Sequence, residues 1–203
     1  MNKVNYDRKM TEIIAANKAS KILPTLLLHA CCAPCSTAAF AKIKDDFKIT
    51  VYFYNPNMDT DKEYRKRAEE EKRLCAEFNL PVVIENYEPE EFYSAIRGLE
   101  NEKEGGIRCE KCFYLRLKKT AEYAKAHGFD FFTTTLTLSP LKDAELLNTI
   151  GERTGKEVGV NFLPSDFKKR DGYKTSIEFS KKYGLYRQNY CGCTFSKRDG
   201  NEE

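Results

Sequence analysis

Short apolar runs of strand length alternate along this chain with longer stretches whose apolar residues recur at helical spacing, and this alternation limits the fold more than any other feature. TLLLHA (25–30) is too short for a helix and fits a buried strand. ITVYFY (49–54), PVVIENY (81–87), FDFFTTTL (129–136) and VGVNFL (158–163) are also expected to be strands. Helices are expected over 6–20, from Pro34 through Phe40 and Ile43, over 61–79 and over 89–97. A further helix starts at Cys109 and Cys112 and ends near Gly128, another is opened by Ser139-Pro140 and carries Leu146, Leu147 and Ile150, and the last covers 173–183. Strands alternating with helices imply an α/β fold: a parallel sheet flanked by helices in a Rossmann-like, nucleotide-hydrolase-like layout. In such sheets ligands bind beyond the carboxyl ends of the strands, so a cysteine site is expected there, starting at Cys31.

No repeat, low-complexity tract or long linker divides the chain, so residues 1–203 are expected to form one domain, with 165–203 a small appended helix and loop. The opening MNKVNYDRKMTEII contains acids and no long apolar segment, which is unlike a signal peptide. There is no run of about 18 apolar residues of the kind that spans a membrane. A cytoplasmic location is expected, and that bears on the eight cysteines. Thiols stay reduced there, which points to metal or redox work rather than a disulfide framework.

Seven of the eight cysteines fall in three groups: Cys31, Cys32 and Cys35 after the first strand, Cys109 and Cys112 at a helix start, and Cys191 and Cys193 around Gly192. Two residues between thiolates let both reach one metal or cluster, which makes Cys109-x-x-Cys112 a half-site. Adjacent Cys31 and Cys32 fit one zinc poorly, but they can reach different irons of a cluster, or a cluster and a neighbouring ion. Seven thiolates exceed the four that one zinc or one cluster needs, which favours an iron–sulfur cluster plus a second redox or metal element. Structural zinc and thiol–disulfide chemistry remain as alternatives; the second is suggested by Cys32-Ala-Pro-Cys35 at a strand end. Cys191-Gly192-Cys193 could close a strained, easily reduced disulfide that stores two electrons, or could supply two more metal ligands. Cys75 lies on the apolar side of its helix with Tyr64, Ala68 and Phe78 and is expected to be a buried, inert thiol. His29, beside the cysteines, is either a hydrogen-bond donor to a sulfur ligand or a structural strand-end residue.

The net charge of +3 neither requires nor excludes a nucleic-acid partner. Basic residues cluster at 62–67 with Lys72 and Arg73, at 168–170, and at Lys181, Lys182 and Arg187, with tyrosines interleaved among the later ones. Tyr186, Arg187 and Tyr190 are candidates to stack on a base, and Lys168, Lys169 and Arg170 to hold an RNA backbone. Ser139 could contact substrate, although capping the helix after it is the plainer role. The first strand is followed by CCAPCST rather than a Gly-rich phosphate loop, which argues against use of ATP. A zinc-stabilised RNA-binding module without catalysis is the alternative to an enzyme.

The segments LLLHACCAPC, FYNPNM with EYRKR after it, RCEKCFYLRL, TTTLTLSP, FLPSDFKKRDGY and YRQNYCGCTFS together resemble the epoxyqueuosine reductase QueH family. The resemblance spans nearly the whole chain. It implies a cobalamin-independent oxidoreductase that removes the epoxide oxygen of epoxyqueuosine at the wobble base of tRNA, the last step of queuosine biosynthesis. It also implies a [4Fe–4S] cluster on Cys31, Cys32, Cys109 and Cys112 and a redox-active pair, Cys191 and Cys193. An additional mononuclear iron is associated with the family as well. Some members carry Asp where this chain has Cys35, a departure from the family pattern at the position that would bear on the second iron; Cys35 is counted among the catalytic candidates. The partners implied are tRNA carrying epoxyqueuosine and an electron donor that the sequence does not identify.

Overall fold

The computed structural model describes residues 4–197, so the outermost residues of the expected domain and of its C-terminal appendage lie outside the described part. Its elements run α1 (Tyr6–Ala19), β1 (Thr25–His29), α2 (Ala33–Ile43), β2 (Lys48–Phe53), α3 (Asp61–Glu77), β3 (Val82–Ile84), α4 (Pro89–Ala95), α5 (Ile107–Ala126), β4 (Phe131–Thr134), α6 (Ala144–Val158), β5 (Asn161–Phe162) and α7 (Gly172–Lys182). The five strands form one sheet in the order β3-β2-β1-β4-β5. Every pairing is parallel, with Leu28 level with Val51 on one side and with Thr133 on the other. The chain winds outward from β1 through β2 to β3, then returns to the other side of β1 for β4 and β5. The reversal lies between β1 and β4, where parallel α/β sheets open a cleft.

β1 is buried on both faces because successive side chains point to opposite sides of the sheet. Leu26 and Leu28 pack with Met10 of α1, Phe40 of α2 and Leu74 of α3. Leu27 points the other way, towards Tyr52, Phe132 and Ala121 of α5. No helix among the described residues is long and apolar enough to cross a membrane.

Four boundaries differ from the sequence expectation for local reasons. The sixth helix does not open at Ser139-Pro140. Asp143 caps it, accepting from the backbone N–H of Glu145 (2.8 Å) and Leu146 (3.4 Å), so Ser139 does not have the capping role. Ser139 instead closes a 3₁₀ turn, Thr135–Leu138, that replaces the last part of the expected strand 129–136. The expected strand 158–163 shrinks to two residues, because α6 runs on to Val158 and ends with Gly159 in the left-handed conformation (φ 79°), which an L side chain adopts poorly. β3 is likewise only three residues, an edge strand paired on one side.

Candidate metal–thiol centre

β1 ends at His29, and the chain turns through Cys31 and Cys32 directly into α2, with Pro34 in its first turn. The sulfurs of Cys31, Cys32 and Cys35 all lie within 4.8 Å of one another, close enough for one metal ion. Cys31 Sγ is 3.8 Å from Cys32 Sγ, and Cys32 Sγ is 3.2 Å from Cys35 Sγ. Thr135 of the 3₁₀ turn after β4 holds the Cys31 corner: its hydroxyl accepts from Cys31 N–H (3.3 Å) and lies 3.6 Å from the sulfur. Hydrogen bonds from Cys32 and then Cys35 hold Cys31 well below the usual thiol range. The same bonds, with burial, push Cys32 and Cys35 up.

Cys109 and Cys112 sit in the first turns of α5, where Gly105 N–H donates to Cys109 Sγ (3.2 Å). Cys191 and Cys193 arrive on a loop anchored to the chain after β2: Asp59 N–H donates to Gly192 O (2.9 Å), and Arg67 Nη1 donates to Cys191 O (3.3 Å). Gly192 has φ 120°, a backbone conformation that favours glycine, and a Cβ there would press on Arg67 Nη1 at 3.2 Å. Cys109, Cys112, Cys191 and Cys193 line one small cavity together. Cys191 also borders a cleft of about 290 Å³ walled by Cys31, Cys32 and Cys35. The three groups, distant in the chain, thus meet around Cys191 at the carboxyl ends of β1 and β4. All eight cysteines are free thiols, so the expected disulfide between Cys191 and Cys193 is not formed in this structure. Cys75 is fully buried in the apolar core, its thiol 4.0 Å from Glu71, apart from the other seven.

His29 does not face the sulfurs. Its Nε2–H donates to Tyr54 O (3.1 Å), and its Nδ1 accepts from the Thr134 hydroxyl (2.9 Å), so the ring ties β1 to its neighbours. Burial, followed by the charge of Arg116, lowers its pKa to about 3 and keeps it neutral. Of the RNA candidates, Arg187 and Tyr190 line the thiol cleft, together with Gln188, Tyr173 and Lys142. Tyr186 instead carries Lys66 Nζ over its ring at 3.4 Å. Lys168 and Lys169 border a second cleft that shares the 140–142 wall with the first. Arg170 pairs with Asp7 (2.9 Å) and lines neither cleft.

The sequence reading missed a set of buried charges around the centre. Arg67, Arg108 and Arg116 are almost completely buried, and so is Glu71. Arg67 pairs with Glu63 (2.6 Å), and Arg108 donates to the Glu100 carbonyl (2.8 Å). Each of the three arginines keeps at least one guanidinium nitrogen without a partner among the described residues. Burial pulls the Lys142 pKa down, but the thiols of Cys191, Cys31 and Cys35 outweigh this and raise it. Burial pushes the Glu71 pKa up to about 8. The available signal was position: Arg67 and Glu71 fall on the same helical stripe as Tyr64, Ala68 and Cys75, and Arg116 on that of Cys112 and Phe113.

Fold and site together define a class: a parallel α/β protein with a multi-thiol, metal-competent centre at the reversal point of its sheet. Within it, the chain belongs to the epoxyqueuosine reductase QueH family, whose model matches residues 26–199. It is similar to the epoxyqueuosine reductase QueH of Streptococcus pyogenes serotype M1, 41% identical over 202 residues that cover 97% of this chain and 79% of that one. It is also 41% identical to that of Staphylococcus aureus (strain Mu50), covering 96% of this chain and 84% of the relative. The relative from Thermotoga maritima is 36% identical over 182 residues, 88% of this chain and 93% of its own. Among solved structures, the fold is similar to the U34-tRNA thiolase NcsA from Methanococcus maripaludis with its [4Fe–4S] cluster. The TM-score is 0.56 at 12% identity, over 94% of this chain and 68% of that chain, a likeness of fold alone.

Proposed function

We propose that this protein is an epoxyqueuosine reductase: it takes the epoxide oxygen from epoxyqueuosine at the wobble position of tRNA and leaves the ring alkene of queuosine, with the oxygen released as water. The reaction consumes two electrons and two protons. Family membership supports this reading, and the structural observation that carries it is that seven thiols line two adjoining cavities that share Cys191.

The donor set fits an iron–sulfur centre. Cys31, Cys32, Cys109 and Cys112 would hold a [4Fe–4S] cluster, a group that the solved thiolase carries. Thiolates are the protein ligands of such clusters. Four thiolates leave a cluster net negative, and buried arginine nitrogens without partners are the complement that such a charge needs. When bound, the cluster supplies single electrons at low potential. Cys35 and Cys191, which border the open cleft, and Cys193 in the adjoining small cavity remain for a second iron or a dithiol store.

The chain's own residues would do the rest. The flipped base would enter the cleft between Tyr190 and the Leu136–Leu138 wall, with Arg187 at its mouth. Lys142 Nζ, a cation whose pKa the nearby sulfurs raise further, would face the oxygen that gains negative charge as the epoxide opens. Lys168 and Lys169, on the adjoining cleft, would meet the RNA backbone.

The test is anaerobic incubation of the reconstituted protein with epoxyqueuosine-containing tRNA and a reductant, followed by nucleoside mass spectrometry. Loss of one oxygen from the modified base is expected. Unchanged nucleoside from a protein that carries iron and sulfide would overturn the reading, and so would a colourless preparation loaded with zinc.

A further inference from the structure

Arg116 stands out among the buried charges around the thiols. It lies on α5 one turn after Cys112, so its side chain shares a face with that thiol. It is 1% exposed, and arginine does not lose its proton in a protein. Its one hydrogen bond among the described residues goes from Nη2 to the side-chain oxygen of Asn55, a neutral acceptor. Nε and Nη1 have no partner, and among the described residues no carboxylate pairs with it. Arg67 differs, because Glu63 compensates it. A lone buried cation with two orphan donors is costly, and proteins avoid it unless an anion belongs beside it. Its charge also reaches the Tyr54 phenol, which burial and Glu91 keep protonated, so the anionic partners left to it are sulfurs: Cys112 lies one turn before it on α5, and Cys31 follows the Ala30 carbonyl that Asn55 holds. Asn55 fixes the orientation, because its amide N–H also donates to Ala30 O (2.9 Å), just before Cys31. The guanidinium is thereby tied to the same turn that carries the first thiols.

We propose that Arg116 is the counter-ion of the thiolate-bound iron–sulfur centre, a positioning residue that turns its free Nε–H and Nη1–H towards the sulfur shell and sets the potential at which the centre takes up an electron. This rests on the cluster reading given above. Reduction adds a negative charge, and a fixed positive charge nearby in a low-dielectric interior favours the reduced form. Removing that charge makes reduction harder. Lysine keeps the charge but loses the planar fork, and therefore restores only part of the effect.

The experiment compares wild type, Arg116→Lys, Arg116→Gln and Arg116→Met. Each is reconstituted anaerobically and read by iron and sulfide content, by redox titration followed by electron paramagnetic resonance, and by urea denaturation of the metal-free form. In Arg116→Gln the midpoint potential falls by at least about 59 mV, one factor of ten in the one-electron equilibrium, and Arg116→Lys lies between it and wild type. The metal-free Arg116→Met protein denatures at a higher urea concentration than wild type, because an unpaired buried cation is gone. An unchanged potential in Arg116→Gln overturns the inference. So does a metal-free Arg116→Met protein that is less stable than wild type, as removal of an ordinary structural arginine would make it. If substitution prevents cluster assembly, the potential of Arg116→Lys and the metal-free stabilities decide by the same criteria. A wild type that takes up no iron and sulfide defeats the cluster reading instead, and is told apart by that control.

Discussion

Replacing Glu71 with glutamine should make the metal-free protein more stable at neutral and alkaline pH and leave it nearly unchanged in acid. Glu71 is fully buried on α3, and burial lifts its pKa from an ordinary 4.5 to about 8. The Cys31 thiolate adds to the rise, and the Ser36 hydroxyl opposes it. The folded protein therefore keeps this proton across a range in which the unfolded chain has released it. Stability from this group is complete below pH 4.5, drains away as pH rises towards 8, and stays lost above that. At 1.36 kcal/mol per pH unit, the loss is about 3 kcal/mol at pH 7, most of which arises between pH 5 and pH 7. Glutamine has nothing to titrate and nearly the same shape. Urea denaturation of wild type and Glu71→Gln at matched pH values from 5 to 9, with reductant and chelator, gives the difference directly, since all other groups are common to both. The two curves should converge in acid and separate by a few kcal/mol above neutrality. Parallel curves, or a Glu71→Gln protein less stable at pH 8 than wild type, would refute the assignment of a buried, neutral carboxyl.

Four other substitutions test other parts of the structure. Cys75→Ala should keep full iron and sulfide content at a cost of about 1 kcal/mol in denaturation, whereas Cys112→Ala should lose iron; equal metal loss in both would put Cys75 in the centre. Gly151→Ala should lower stability by about 1–3 kcal/mol, because a Cβ on α6 would lie 2.4 Å from the Phe162 ring; an unchanged melting temperature would contradict that packing. His29→Gln should flatten the acid limb of the stability curve: with its pKa lowered to about 3, the folded histidine refuses a proton that the unfolded chain binds, so wild type loses stability as pH falls below 6.5. An acid limb of the same slope in both proteins would mean that His29 is not held neutral.

Much of this was legible in the sequence, and the exceptions share a physical cause. β1 could be read because a central parallel strand is apolar on both faces, and α3 because its stripe has helical period. The short edge strands β3 and β5 were overdrawn, since apolar residues that merely pack beside a sheet look like those that pair within it. The opening of α6 was misread because Ser-Pro is a strong local signal, yet the aspartate a few residues later makes the actual cap. Three sulfur groups could be listed, but their meeting depended on β4 lying next to β1, which no local pattern encodes. Arg67, Glu71 and Arg116 were overlooked because a charge within a helix is ordinarily read as solvent-facing, and here the charges face a polar centre inside the protein.

The turn from β1 into α2 sets three sulfurs at the amino end of a helix, with one of them ionised far more readily than its neighbours. Cys31 is also partly exposed, on the wall of the open cleft. A readily formed, accessible thiolate is a strong soft nucleophile. In the metal-free protein, then, the residue best prepared to bind iron is also the one that alkylating reagents and peroxide attack first. Air and time would remove that ligand before they reached the buried Cys75, and loading with iron and sulfide has to come before either exposure.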